Sequence, residues 1–96
     1  MNIKFSWDEK KARINIQKHK VSFEEAKTVF ADENARLIND PDHSYEEERF
    51  IMIGLSSKLK ILTVVHCYRD NDNIIRIISA RKSTKNEERQ YKEFLS

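Results

Sequence analysis

Ile74-Ile75-Arg76-Ile77-Ile78-Ser79-Ala80-Arg81-Lys82-Ser83-Thr84 decides how this chain folds. Four isoleucines in five positions make a strand, because β-branched side chains suit a pleated, half-buried surface. The strand empties into Arg81-Lys82, and Thr84-Lys85-Asn86-Glu87 then has the spacing of a capping box that opens a helix. A strand this apolar is mostly buried, and an arginine is seldom buried without a partner. Arg76 therefore either pairs with a carboxylate on the sheet or projects from a face left open for an anionic ligand. Arg81 and Lys82 stand beside the unpaired backbone donors of a helix N-terminus, a natural place for a phosphate. Fixed cations on one sheet, facing one helix start, point to a surface that handles nucleic acid.

Working backward, Asp70-Asn71-Asp72-Asn73 is a turn that closes a hairpin between this strand and a longer one, Leu59 to Arg69. With Asn71 and Asp72 at the tip, Tyr68, His66, Val64 and Leu62 face Ile75, Ile77, Ser79 and Arg81. Side chains alternate across a strand, so this register puts His66, Tyr68, Ser79 and Arg81 on one face and Cys67 with Arg76 on the other. A bulge near the tip would instead bring Arg76 beside His66.

Further out, Ile3 to Trp7 alternates as a short strand, and Asp8 caps a basic helix running to about His19. On that helix Ala12 and Ile16 share a face. Ser22-Phe23-Glu24-Glu25 is a capping box, and Phe23, Ala26, Val29 and Phe30 form one apolar stripe. Ala35 to Ile38 is a short strand, stopped by the turn Asn39-Asp40-Pro41-Asp42. The acidic run Glu46-Glu47-Glu48 precedes the strand Arg49 to Leu55, and Ser56-Ser57-Lys58 turns into the hairpin. Tyr91, Phe94 and Leu95 are the buried stripe of the last helix. The expectation is a single α+β domain over residues 1–96, a mostly antiparallel sheet of four or five strands with helices packed on it, in the order β-α-α-β-β-β-β-α.

Composition bounds the function. With 35% charged and 39% hydrophobic residues the chain suits a small globular core, and no apolar run reaches the length of a membrane span. Cys67 is the only cysteine, which excludes an internal disulfide and CxxC metal sites. The cytoplasm is the default compartment, and no cofactor is expected. The net charge of +2 conceals a basic start, an acidic middle and a basic end. Residues 1–20 carry six Lys/Arg against two Asp/Glu, residues 21–50 three against nine, and residues 69–92 seven against four.

Phe5-Ser6-Trp7-Asp8, Lys18-His19-Lys20-Val21-Ser22-Phe23-Glu24-Glu25-Ala26, Asp40-Pro41-Asp42-His43-Ser44, Glu48-Arg49 and Ile75 to Lys82 together resemble the BrnT family of toxin components. The resemblance spans nearly the whole chain in the family's order. It implies a RelE-like fold and a ribonuclease toxin that arrests growth. It also implies silencing by a BrnA-type ribbon-helix-helix antitoxin, with the pair as a 2:2 heterotetramer that meets operator DNA only through the antitoxin. Lys20 departs from the family, which usually has glycine after the Lys-His pair; glycine suits a left-handed helix C-cap, and lysine must strain into it.

RNA cleavage without a metal needs a base for the 2′-hydroxyl, cations for the phosphate and an acid for the leaving 5′-oxygen. His66 is the first choice for acid-base work, since imidazole titrates near neutrality. Arg76 and Arg81 are the phosphate clamp, because a guanidinium grips phosphate bidentately. Lys82, Tyr68 and Arg69 are the expected substrate contacts, Tyr68 by stacking or proton transfer. His43 reads as a turn residue and His19 as a cation suited to a helix C-terminus. Three scattered histidines give no metal site. The rival to an endoribonuclease is a non-catalytic module whose basic residues dock an acidic or disordered partner.

Overall fold

The computed structural model describes residues 3–40 and 47–95, the Phe94 side chain excepted. His43 and most of the turn around Pro41 lie outside the described residues. The elements are β1 (Lys4–Ser6), α1 (Glu9–His19), α2 (Phe23–Thr28) running into a 3-10 turn (Val29–Ala31), β2 (Arg36–Asn39), β3 (Phe50–Leu55), β4 (Ile61–Arg69), β5 (Ile74–Lys82) and α3 (Lys85–Leu95). The sheet order is β1-β5-β4-β3-β2, antiparallel throughout except for the parallel edge pair β1 and β5. β1 and β2 are opposite edges, so α1 and α2 carry the chain across one sheet face and cover it. This matches the element order and class expected from the sequence.

Local chemistry sets the helix ends. Asp8 accepts from the Lys11 N–H at 3.0 Å and Ser22 from the Glu25 N–H at 3.0 Å. The second half of the Ser22 box does not close, because the Glu25 carboxylate accepts from the Ser56 hydroxyl at 2.7 Å instead. The Thr84 box closes in both directions, Glu87 N–H to Thr84 at 3.2 Å and Thr84 N–H to Glu87 at 2.8 Å. Lys20 does enter the left-handed region, at φ 59° and ψ 29°, and its N–H reaches Ile16 O. Leu59 belongs to the turn rather than to β4: it has φ 62°, and its N–H bonds Ser56 O at 2.9 Å.

The core is Val21, Phe23, Ala26 and Val29 against Leu62, Val64, Ile77 and Ala80. Trp7 meets the Phe23 ring edge-on at 5.9 Å between centroids. Gly54, the sole glycine, is where the 3-10 turn comes closest to β3: a Cβ there would lie 2.8 Å from Val29 Cγ1. On α1 the buried positions are Ala12 and Asn15, whereas Ile16 is 46% exposed. Asn15 wins the inner face because β1 ends at Ser6 and leaves the upper edge of β5 without a strand partner. Its side chain donates to Ala80 O at 2.8 Å and Val21 O at 2.9 Å and accepts from Ala80 N–H at 3.1 Å. A carboxamide thus does a strand's work on a buried edge. Likewise Leu95 is 49% exposed, so the docking of α3 rests on Tyr91, which is buried and whose hydroxyl donates to Asp32 at 2.7 Å.

β4 and β5 keep the expected register from the tip as far as His66 opposite Ile77, and then slip by one. Val65 pairs with Ser79, leaving Ile78 as the extra residue of a β-bulge. His66 lies on the helix-covered face, fully buried beside Phe30 at 4.8 Å, Tyr68 at 5.2 Å and Phe50 at 6.2 Å between ring centroids. Burial pushes its pKa down to about 4, against a smaller upward push from the Val64 carbonyl.

Two outcomes follow for stability. Lys20→Gly should stabilise the chain by up to ~1 kcal/mol in denaturant unfolding, since glycine removes the left-handed penalty at some cost in chain entropy. The folded chain keeps His66 neutral while the unfolded chain protonates it below about 6.5. Stability should therefore be complete above that pH and fall as pH drops toward about 4, by roughly 3 kcal/mol. In His66→Phe this part of the pH dependence should vanish; an unchanged profile would place the titration elsewhere.

Candidate nucleic-acid interface and active site

The face of the sheet away from α1 and α2 is cationic, and pairing builds it row by row. β-Partners share a face, so Ser6, Arg76 and Cys67 form one row. Alternation from Phe50 brings Arg49, the residue before β3, to the other side of Cys67. Neighbouring strands lie about 4.8 Å apart, so Arg49 and Arg76 start roughly 10 Å from one another across the buried thiol. Lys4, Ile74 and Arg69 form the next row toward the hairpin tip, and Arg36, Ile53, Thr63 and Arg81 the row under α3.

These cations are not equivalent. Arg81 is clasped bidentately by Glu87 of α3, at 2.7 and 3.0 Å. Partial burial raises the Glu87 pKa, but Arg81, the Thr84 N–H and the Thr63 hydroxyl outweigh it and hold the group at about 2. Arg69 is exposed and pairs with Glu47 at 2.8 Å; the Cys67 thiol and that carboxylate keep it charged. Arg36 reaches the Gln90 carbonyl on α3 at 3.5 Å. Arg49 and Arg76 have no ion pair among the described residues, and the Arg49 Nε is buried without a hydrogen-bond partner. An orphaned guanidinium N–H in a cationic row is a donor waiting for an anion.

Toward the hairpin end, on the side of the sheet that carries Phe50 and Tyr68, lies a cleft of about 420 Å³ lined by Leu37, Glu47, Glu48, Phe50, Tyr68 and Asp72, and its Glu47 pairs with Arg69 of the other face. Tyr68 is the link to His66, whose Nε2 lies 3.2 Å from the phenol oxygen while Nδ1 faces Val64 O at 3.3 Å. With Nδ1–H donating to the Val64 carbonyl, Nε2 accepts from the Tyr68 hydroxyl, which leaves the remaining acceptor side of the phenol oxygen open toward the cleft. Burial, and then the charge of Asp72, raise the Tyr68 pKa, so it stays a protonated phenol.

The bulge corrects the expected grouping. His66 and Tyr68 do not share a face with Ser79 and Arg81; the slip at Ile78 turns Ser79 and Arg81 onto the Arg76 side, and Lys82 onto the opposite face, where it is exposed. Nor does Arg76 move beside His66, because the bulge is in mid-strand rather than near the tip. Arg69, Arg76 and Arg81 are therefore together, while His66 reaches the surface only through Tyr68. Arg49, which the sequence offered only together with Glu48 in the family resemblance, joins the arginine face. Its signal was present, since alternation from Phe50 already assigned it to the face opposite the apolar core. Among the described residues no group of three His, Cys, Asp or Glu could hold a metal ion, and no helix is long and apolar enough to cross a membrane.

Comparison with known proteins agrees with this architecture. No curated protein sequence matches the chain. Among solved structures, the 1.1 Å crystal structure of the Brucella abortus ribonuclease toxin BrnT is similar, with a TM-score of 0.65 and 25% identity. The match covers 86% of this chain and 99% of that one. The family described as "Ribonuclease toxin, BrnT, of type II toxin-antitoxin system" matches residues 7–87, most of the length that builds the sheet and its cationic face. The chain belongs to the BrnT family of type II toxins.

Proposed function

We propose that this chain is an endoribonuclease toxin that grips RNA on the Arg49–Cys67–Arg76 row and cleaves it without a metal at the adjoining cleft. The observation that carries the reading is the orphaned Arg49 Nε on the same sheet face as Arg76, which has no ion pair among the described residues. Two guanidinium groups at that separation can hold one phosphate and its neighbour, and Arg69 extends the grip toward the cleft. Arg81, already saturated by Glu87, serves as a fixed positive charge and an anchor for α3.

In the cleft, Glu48 is an exposed carboxylate facing the same space as Tyr68. Glu48 takes the 2′-hydroxyl proton as that oxygen attacks phosphorus, and the P–O5′ bond breaks with the 5′-oxygen protonated by water, the Tyr68 proton being committed to His66 Nε2. The products are a 2′,3′-cyclic phosphate and a 5′-hydroxyl end. Arg69, whose guanidinium pairs with Glu47 of the cleft lining, brings positive charge nearest the phosphorane oxygens, and Arg76 one row further in adds to it. His66 is a positioning residue here: it holds the phenol but, buried and reluctant to accept a proton, does not touch the RNA. Lys82, on the far face, is a weaker contact than Arg69.

A type II toxin implies an antitoxin protein. We take it to be BrnA-like, a ribbon-helix-helix dimer carrying two toxins, because a two-fold partner offers two equivalent surfaces. Its toxin-contacting segment should present acidic side chains to Arg76 and its neighbours in place of RNA phosphates, with a salt-sensitive association rate.

Expressed alone, the chain should arrest growth and leave new RNA ends bearing cyclic or 3′-phosphate, with cleavage of purified RNA persisting in chelator. Arg76→Ala should fold normally and lose roughly two to three orders of magnitude in cleavage rate, as removal of a charge-stabilising donor does. Normal growth with abundant folded protein, or cleavage that fails in chelator and returns with a divalent ion, would overturn this mechanism.

A further inference from the structure

We propose that the groove between α1 and the bulged half of β5 is a second RNA site, a sequence-independent track for the strand leaving the cleaved phosphate. The inference rests on the ribonuclease reading above and assigns to it a surface which that mechanism does not use. Lys11, Ile14, Asn15 and Lys18 recur at i, i+3, i+4 and i+7, so they form one stripe of α1. With His19, Ile78 and Ser79 they line a groove of about 170 Å³. Asn15 is spent inward on Ala80 and Val21, which holds the helix against the strand and fixes the groove's width.

Three features suit an RNA strand. First, the charge has no internal use: among the described residues neither Lys11, Lys18 nor His19 has a carboxylate within ion-pair distance. The only acids at this helix are Asp8 and Glu9, both at its first turn and both engaged, with the Lys11 N–H and the Trp7 indole. Second, the floor is apolar. Ile14 is 49% exposed, and Ile78 is the bulge residue, a position where β-bulges commonly re-aim a side chain. Third, the groove is continuous with the arginine face, because Ser79 lies on the same side of β5 as Arg76. Lys11 and Lys18 stand about 10 Å apart along the helix, a span that follows a run of backbone rather than one phosphate. The lining has no Phe, Tyr or Trp for base stacking and no set of fixed donors for base edges. That leaves backbone tracking by charge, which is independent of sequence.

The test compares wild type, Lys11→Ala/Lys18→Ala and Arg76→Ala on a dinucleotide and on an RNA of about twelve nucleotides. Wild type should cleave the longer RNA with the higher kcat/KM. The lysine double variant should keep wild-type cleavage of the dinucleotide and lose about tenfold on the longer RNA. Its salt dependence of binding should flatten by about 1.4 in log–log slope, the loss of two single-strand phosphate contacts. Arg76→Ala should fail on both substrates. If the double variant keeps the full length preference and salt slope while wild type cleaves both RNAs, the track is wrong and the ribonuclease reading stands. If wild type cleaves neither RNA, the ribonuclease reading itself falls and the track with it.

Discussion

One irregularity in one strand organises this molecule. Ile78 has no partner on β4, and that single extra residue reverses which side chains of β5 look toward the helices and which look away. Before it, Ile75 and Ile77 point into the core and Arg76 points out. After it, Ala80 is the buried residue, and Ser79 and Arg81 turn outward to join Arg76. Without the slip, strict alternation would have set Arg81 on the same side as the buried histidine. Asn15 makes the arrangement durable. Its carboxamide satisfies both backbone groups of Ala80 just beyond the bulge, where no strand is available to do so. A buried edge left without those bonds would cost about 1–3 kcal/mol per orphaned group.

The consequence is a sheet with two distinct electrostatic faces. The helix-covered face is dry enough to keep His66 neutral among Phe30, Phe50 and Tyr68. The other face gathers arginines from three strands, which no single helix or loop could do at such spacing. α3 satisfies one of them: the Glu87 that closes the helix's own capping box also clasps Arg81 and accepts from Thr63. One carboxylate thus ties the helix start, the end of β5 and the middle of the sheet together. Arg49 and Arg76 have no such carboxylate clasp among the described residues. Burial removes a charge on one side and pairing silences one on the other, and the remaining cations carry the reading of function.

Much of this was legible locally. The strands β4 and β5, the Asp/Asn turn between them, the Ser22 cap and the complete Thr84 capping box come from short-range chemistry, and each appeared where the sequence placed it. The tip adopts positive φ at Asp70, Asn71 and Asp72, residue types that tolerate that region. Lys20 showed its strain in the sequence as well, as a side chain standing where glycine belongs. Reading failed where a local pattern competed with a distant partner. Ile16 looked like a core residue of α1, yet Asn15 took the inner position because β5 needed a donor and an acceptor there. Glu25 looked like half of a capping box, yet Ser56, thirty-one residues away, claimed its carboxylate.

The residue pattern by itself determined the elements, their order, the family and the presence of a cationic strand, because periodicity, capping and turn chemistry act within a few residues. Only the tertiary structure decided which cations stand together and that His66 is buried. A bulge adds one residue to a ladder without changing the local composition that sequence reading relies on, and a one-residue slip moves every later side chain to the other face. Arg49 meets Arg76 through two strand pairings that join three separate stretches of chain, and Arg81 meets Glu87 through the turn that seats α3. Those pairings are set by the packing of the whole sheet, so neither the site's membership nor its charge state could be read from any one segment.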